Sequence, residues 1–128
     1  MPRAESKTLK VGDKAPDFTL KTASGEEWHL SNFRGKENVV LAFVPFAFSS
    51  VCSAQLPSYE AELDRFKDLD AEIVSISMDS SYALTAWGKS MGTSFAHLSD
   101  FYPQGKVVDL YGVRHQAGMP ERAIFGID

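Results

Sequence analysis

The sequence is poorest in cysteine, with one thiol, Cys52, in 128 residues. A single cysteine excludes an intrachain disulfide and any zinc site built on several thiolates. The three histidines, His29, His97 and His115, have no metal-ligand spacing either. Basic residues are not in surplus. Thirteen Lys and Arg against seventeen Asp and Glu leave a formal charge of −4, so no excess of cations exists to replace the counterions of a nucleic acid. Long apolar runs are missing as well. The longest, Val39 to Phe48, is broken by Pro45 and reaches about half of the ~20 residues that cross a bilayer, so no membrane association is expected. The opening residues 1–7 lead into no apolar signal core, and a cytoplasmic location is expected.

What is present is ordinary globular material: 44% hydrophobic and 23% charged residues, with nine Phe, four Tyr and two Trp. That composition excludes disordered, collagen-like and coiled-coil chains, and the length suits one domain around one core. Two turn-forming clusters, residues 12–16 (Gly-Asp-Lys-Ala-Pro) and 23–27 (Ala-Ser-Gly-Glu-Glu), flank a short strand candidate at 17–21 and predict an N-terminal hairpin. Residues 38–44 (Asn-Val-Val-Leu-Ala-Phe-Val) are continuously apolar rather than alternating, which predicts a strand covered on both faces. Residues 50–68 read as a helix because Cys52, Leu56, Tyr59, Leu63 and Phe66 form one apolar stripe, with Pro57 bending or breaking it after the first turn. A strand at 72–78 follows, then a helix at 82–91 capped from Asp79, Ser80 or Ser81 and burying Leu84, Trp87 and Met91. A short strand at 96–98, a short helix at 106–111 and a last strand at 123–127 complete an α/β order.

In such sheets, sites collect where strands end and helices begin. Cys52 falls there, on the first turn after the 38–44 strand. A lone Cys on an apolar stripe is by default a small buried hydrophobe. This position changes that reading, because the unpaired N–H groups and positive dipole end of a first helical turn stabilise a thiolate. Ser49, three residues earlier, can lend a hydroxyl on the same side. Ser-x-x-Cys cannot close the internal disulfide of a dithiol oxidoreductase.

The segment Pro45-Phe46-Ala47-Phe48-Ser49-Ser50-Val51-Cys52 resembles the active-site signature of the peroxiredoxins, Pro-x-x-x-Thr/Ser-x-x-Cys. The likeness extends to residues 12–18 (Gly-Asp-Lys-Ala-Pro-Asp-Phe) and 122–128 (Arg-Ala-Ile-Phe-Gly-Ile-Asp). Between them, residues 97–103 (His-Leu-Ser-Asp-Phe-Tyr-Pro) and 111–113 (Tyr-Gly-Val) look most like the one-cysteine branch called alkyl hydroperoxide reductase E. The resemblance implies a thioredoxin-like fold, a central mixed sheet flanked by helices and preceded by a hairpin. It implies a single domain over residues 1–128 that lacks the family's C-terminal strand and helix. It also implies thiol-dependent reduction of hydrogen peroxide or organic hydroperoxides, with no metal, flavin or haem. Carried over by position, Cys52 is the peroxidatic cysteine and Ser49 the hydroxyl that hydrogen-bonds the peroxide. Pro45 covers the cysteine, and Arg122 polarises the peroxide and stabilises the thiolate. Gln55 stands where many members have Glu. Members of this type are often homodimers, and one cysteine leaves the sulfenic acid to an external thiol, either a small thiol or a thioredoxin-like protein.

Elementary chemistry agrees with those residue types. Bringing a thiol pKa below neutrality raises the thiolate fraction only about thirtyfold, and it lowers intrinsic nucleophilicity at the same time. The larger acceleration must come from orienting the peroxide and stabilising the leaving oxygen. Each residue also has an ordinary reading: Ser49 as a helix cap, Pro45 as a strand breaker, Arg122 as a surface side chain facing Glu121. Phe46 and Phe48 read as walls of a pocket or a subunit interface, and Trp87 as core. Two rival functions are a thioredoxin-like binding domain that has lost activity and a cysteine hydrolase, the latter needing a histidine within reach of Cys52.

Overall fold

The continuous apolar run at 38–43 becomes the strand that both halves of the core share. In the computed structural model, which describes residues 6–10, 12–33, 36–46, 63–68, 70–93, 95–101, 104–121 and 123–127, Val39, Leu41 and Phe43 point to one face of the sheet. Val40 and Val44 point to the other. That two-sided burial is why the run does not alternate.

The described elements are β1 (Thr19–Thr22), β2 (Glu27–His29), a 3₁₀ turn (Leu30–Phe33), β3 (Asn38–Phe43), α1 (Leu63–Asp68), β4 (Ala71–Ser77), α2 (Ser81–Met91), β5 (Ala96–Ser99), α3 (Lys106–Leu110) and β6 (Ala123–Ile127). They build a mixed six-stranded sheet in the order β2-β1-β5-β4-β3-β6. β3, β4 and β5 run parallel, while β1, β2 and β6 are antiparallel to their neighbours. The expected N-terminal hairpin is β1–β2, with Leu20 opposite Trp28 and the turn closed by Thr22 N–H on Glu26 O at 2.8 Å. Only residues 63–68 of the expected 50–68 helix are described, and they are helical. The Pro57 break lies outside the described residues.

Helices cover both faces. On one, α3 contributes Val107 and Val108 to a cluster with Leu41, Phe43, Val74, Ile76, Leu98 and Tyr111. On the other, α2 buries Leu84 and Trp87 against Val44, Ile73 and Phe95. Of the three candidate caps for α2, Ser80 does the work, accepting Ala83 N–H on its hydroxyl at 3.2 Å.

The N-terminal segment is tied to the loop after α3. Lys7 N–H donates to Gly112 O at 3.0 Å, and the Ser6 hydroxyl donates to Tyr111 O at 2.7 Å. Gly112 is required twice over. Its φ is +66°, and a Cβ there would come within 2.6 Å of Thr8 Oγ1 and 2.8 Å of the Thr8 backbone nitrogen.

Candidate functional site

β3 and β6 are antiparallel neighbours, and Phe43, the last residue of β3, is the partner of Ala123, the first residue of β6. The chain therefore leaves β3 at the sheet end where it enters β6. The ladder continues one residue beyond β3, with Val44 N–H on Ile76 O at 3.0 Å. Pro45 follows, half-buried, and then Phe46, which is 49% exposed. A proline here costs no ladder bond, because β3 has already ended. Of the four residues expected to form the site, Pro45 is thus placed at this end. Ser49, Cys52 and Arg122 lie outside the described residues, as do Phe48 and Gln55. Both neighbours of Arg122 are described and tied: Glu121 N–H donates to Val113 O at 2.7 Å, and Ala123 pairs with Phe43.

An aromatic cluster holds this strand pair. The Tyr111 ring packs at 5.6 Å from Phe43, 5.2 Å from Phe125 and 5.8 Å from Phe18. Phe43 and Phe125 themselves meet edge to face at 5.6 Å. The Tyr111 hydroxyl donates to Pro16 O at 2.7 Å. Burial, reinforced by the charge of Asp17, pushes the phenol far above its ordinary range, so it stays protonated and able to donate. One ring thereby joins the N-terminal segment, the end of α3 and both strands at this end of the sheet.

Asp100, directly after β5, is a buried carboxylate. Its N–H donates to Ser77 O at 2.8 Å, and its Oδ2 accepts Val108 N–H at 2.8 Å in the first turn of α3. Gly105, the residue before α3, has no side chain to cap with, so Asp100 supplies the acceptor from five residues earlier. Its Oδ1 has no partner among the described residues. Burial raises the carboxyl pKa to about 6, against the opposing pull of the Val108 and Val107 N–H groups and the Arg114 charge.

Sequence reading missed two further arrangements. His97 is buried, its Nδ1 at 2.6 Å from Ser75 Oγ and its Nε2 at 2.7 Å from Thr93 Oγ1. Trp87 and Phe95 lie against the ring at 5.7 and 5.0 Å. The partners come from β4 and from the loop before β5, so nothing in the local sequence marked them. The other arrangement centres on Arg114, which holds Asp109 through Nε–Oδ1 at 2.8 Å and Nη2–Oδ2 at 3.0 Å. That contact holds the Asp109 carboxyl below its usual range. Among the described residues no group of three or more His, Cys, Asp or Glu is disposed to hold a metal ion. Nor is any helix there long and apolar enough to cross a membrane.

Comparison with known proteins agrees with this architecture. The AhpC/TSA family matches residues 11–128. Alkyl hydroperoxide reductase E of Mycobacterium tuberculosis is 37% identical over 121 residues, covering 94% of this chain and 79% of that protein. The chloroplastic 2-cysteine peroxiredoxin of Chattonella marina var. antiqua is 32% identical, covering 94% of this chain and 66% of that protein. Among solved structures, peroxidoxin BcpB from Mycobacterium tuberculosis superposes with a TM-score of 0.86 at 31% identity, over 94% of this chain and 79% of that one. The reduced Plasmodium vivax 2-Cys peroxiredoxin gives a TM-score of 0.83 at 29% identity, over 92% of this chain and 78% of that one.

Proposed function

Since this chain belongs to the AhpC/TSA family and is a thiol-dependent peroxidase of thioredoxin-like fold, we propose that Cys52 carries the reaction through a sulfenic acid resolved by an external thiol. The observation that carries this reading is the pairing of Phe43 with Ala123. It brings to one end of the sheet the strand that leads through Pro45 into Ser49 and Cys52, and the strand that directly follows Arg122.

In the proposed reaction the Cys52 thiolate attacks one oxygen of the peroxide. The S–O bond forms, the O–O bond breaks, and the departing hydroxide or alkoxide takes a proton to leave as water or alcohol. The hydroxyl of Ser49 and the guanidinium of Arg122 orient the peroxide and stabilise the leaving oxygen, and Pro45 limits the approach of water. A first external thiol then displaces water from the sulfenic acid to give a mixed disulfide. A second thiol releases the reduced enzyme and a small disulfide. The substrates are hydrogen peroxide or organic hydroperoxides, and the working form is a cytoplasmic homodimer.

Of the three histidines, His97 is disfavoured as the base of a histidine-activated cysteine hydrolase because both of its ring nitrogens are engaged by hydroxyls. His97 has a hydroxyl on each ring nitrogen, His29 Nδ1 lies 2.8 Å from Thr19 Oγ1, and His115 Nδ1 accepts Ala117 N–H at 3.0 Å. The test is Cys52→Ser. Peroxide turnover with dithiothreitol as reductant is expected to vanish while the circular dichroism spectrum is unchanged. Substantial turnover by the folded variant would overturn the assignment of Cys52.

A further inference from the structure

Arg114 sits in the segment that delivers the chain to Arg122. Residues 114–120 form a small hairpin. Arg114 and Pro120 make an isolated bridge, His115 N–H donates to Met119 O at 2.7 Å, and Gly118 N–H donates to His115 O at 2.8 Å. One residue beyond the bridge, Glu121 N–H is held by Val113 O at 2.7 Å. Arg122 is next in sequence, and Ala123 starts β6.

The guanidinium of Arg114 uses every donor it has. An arginine offers five N–H groups in a planar fork. Here Nε and one Nη2 hydrogen go to the two Asp109 carboxylate oxygens, at 2.8 and 3.0 Å, and the second Nη2 hydrogen goes to Gln104 O at 2.8 Å. Nη1 donates to Gly118 O at 3.0 Å and to the Met78 sulfur at 3.9 Å. Those acceptors belong to four separate pieces of the fold: the loop before α3, α3 itself, the tip of the hairpin, and the end of β4. The seat is shaped for this side chain. Gly105 lies beneath it with φ at +71°, and a Cβ there would fall 2.0 Å from Nη2. The pair with Asp109 is open to solvent, with Arg114 31% and Asp109 59% exposed, while the bonds to Gly118 O and the Met78 sulfur are partly buried and less open to competing water.

We propose that Arg114 is a positioning residue for Arg122. By fastening the hairpin to α3 and to the end of β4, it fixes where the chain passes from Glu121 into Arg122 and so where that guanidinium is presented to the peroxide. This inference rests on the peroxidase reading of Arg122 given above. The donors of Arg114 are spent on the acceptors named above, so no contact with peroxide is assigned to it. Its effect passes through the backbone of the hairpin. A lysine would keep the charge but could supply only three N–H groups from a single nitrogen, and so could not hold all four pieces at once.

The experiment compares two reactions of Cys52 in the same variants. The stopped-flow rate with hydrogen peroxide depends on how the peroxide is oriented. The rate of alkylation by iodoacetamide depends on thiolate reactivity and access but needs no peroxide-orienting arginine. The ratio of the two is therefore insensitive to a general loosening of the fold. Arg114→Leu is expected to lower that ratio roughly tenfold, the scale on which small misplacements of reacting groups act, and Arg114→Lys by a smaller factor. In an Arg122→Gln background, Arg114→Leu should cause no further drop, because the group being positioned is gone. An unchanged ratio in Arg114→Leu, or an equal drop in both backgrounds, would overturn the positioning role. An unchanged ratio in Arg122→Gln alone would instead overturn the reading of Arg122, so the two failures are distinguishable. Should Arg114→Leu not fold, Arg114→Lys carries the test, and an unchanged ratio there would overturn the proposal.

Discussion

On one face of the sheet Phe18, Phe43, Tyr111 and Phe125 meet ring to ring, and on the other a histidine is held between two hydroxyls. The aromatic face depends on area and shape. Its contacts have soft directional preference, and each large ring contributes through the apolar surface it removes from water. The α2 face depends on direction. Ser75, His97 and Thr93 must keep their geometry, because a buried hydroxyl or ring nitrogen without a partner is penalised by its lost hydration. The face that tolerates adjustment is the one carrying the strand pair at the proposed site. The α2 face locks the register between β4 and β5, where Ser75 pairs with His97.

Truncation on the aromatic face should give the largest loss. Tyr111→Ala removes the ring shared by Phe18, Phe43 and Phe125 and should cost about 3–5 kcal/mol in a urea titration. Tyr111→Phe removes only the bond to Pro16 O and should cost about 1 kcal/mol. Equal losses for the two variants would show that this face, too, is governed by its hydrogen bond.

Asp100 is the polar exception on the aromatic side, where α3 packs. The folded protein keeps this proton up to about pH 6, while the ordinary carboxyl value is 3.8. Folding therefore takes up a proton in that window, and stability falls as pH rises from about 4 to about 6. Two pKa units correspond to about 3 kcal/mol. The difference in unfolding free energy between wild type and Asp100→Asn, measured across that window, should follow this slope. A flat difference would mean that Asp100 carries no raised pKa.

Changes on the α2 face should cost less but respond to pairing. His97→Phe keeps an aromatic ring between Trp87 and Phe95 but strands the hydroxyls of Ser75 and Thr93. It should destabilise by about 2 kcal/mol. Adding Ser75→Ala should recover part of that loss, since one stranded group is removed. If the double variant lost the sum of the two single losses, the hydroxyl–histidine bond would not be what distinguishes this face.

The legibility of the sequence divides along similar lines. β3 was readable as a doubly covered strand because its neighbours in sequence, Val39 to Val44, carry the whole signal. The cap of α2 was readable because Ser80 bonds three residues ahead. The β1–β2 hairpin was readable from its turn cluster. Cys52, Ser49 and Pro45 stand within eight residues of one another, so a motif could hold them, and Arg122 was named from a second motif that runs on into the last strand. Arg114 could not be found that way. Its acceptors stand at positions 78, 104, 109 and 118, and only the fold brings them together. His97 and Asp100 were likewise quoted for their likeness to a family segment, while their partners at positions 75, 93 and 108 emerged only in three dimensions.

The central claim is that Cys52 reacts with peroxide and waits as a sulfenic acid for an external thiol. Intact mass after one equivalent of hydrogen peroxide, without reductant, tests it most directly. The protein should gain a single oxygen on Cys52, trappable with a sulfenate-specific reagent, and a small thiol added afterwards should give a mixed disulfide and then the reduced protein. Quantitative conversion to a Cys52–Cys52 disulfide dimer, or a mass unchanged by peroxide, would contradict it.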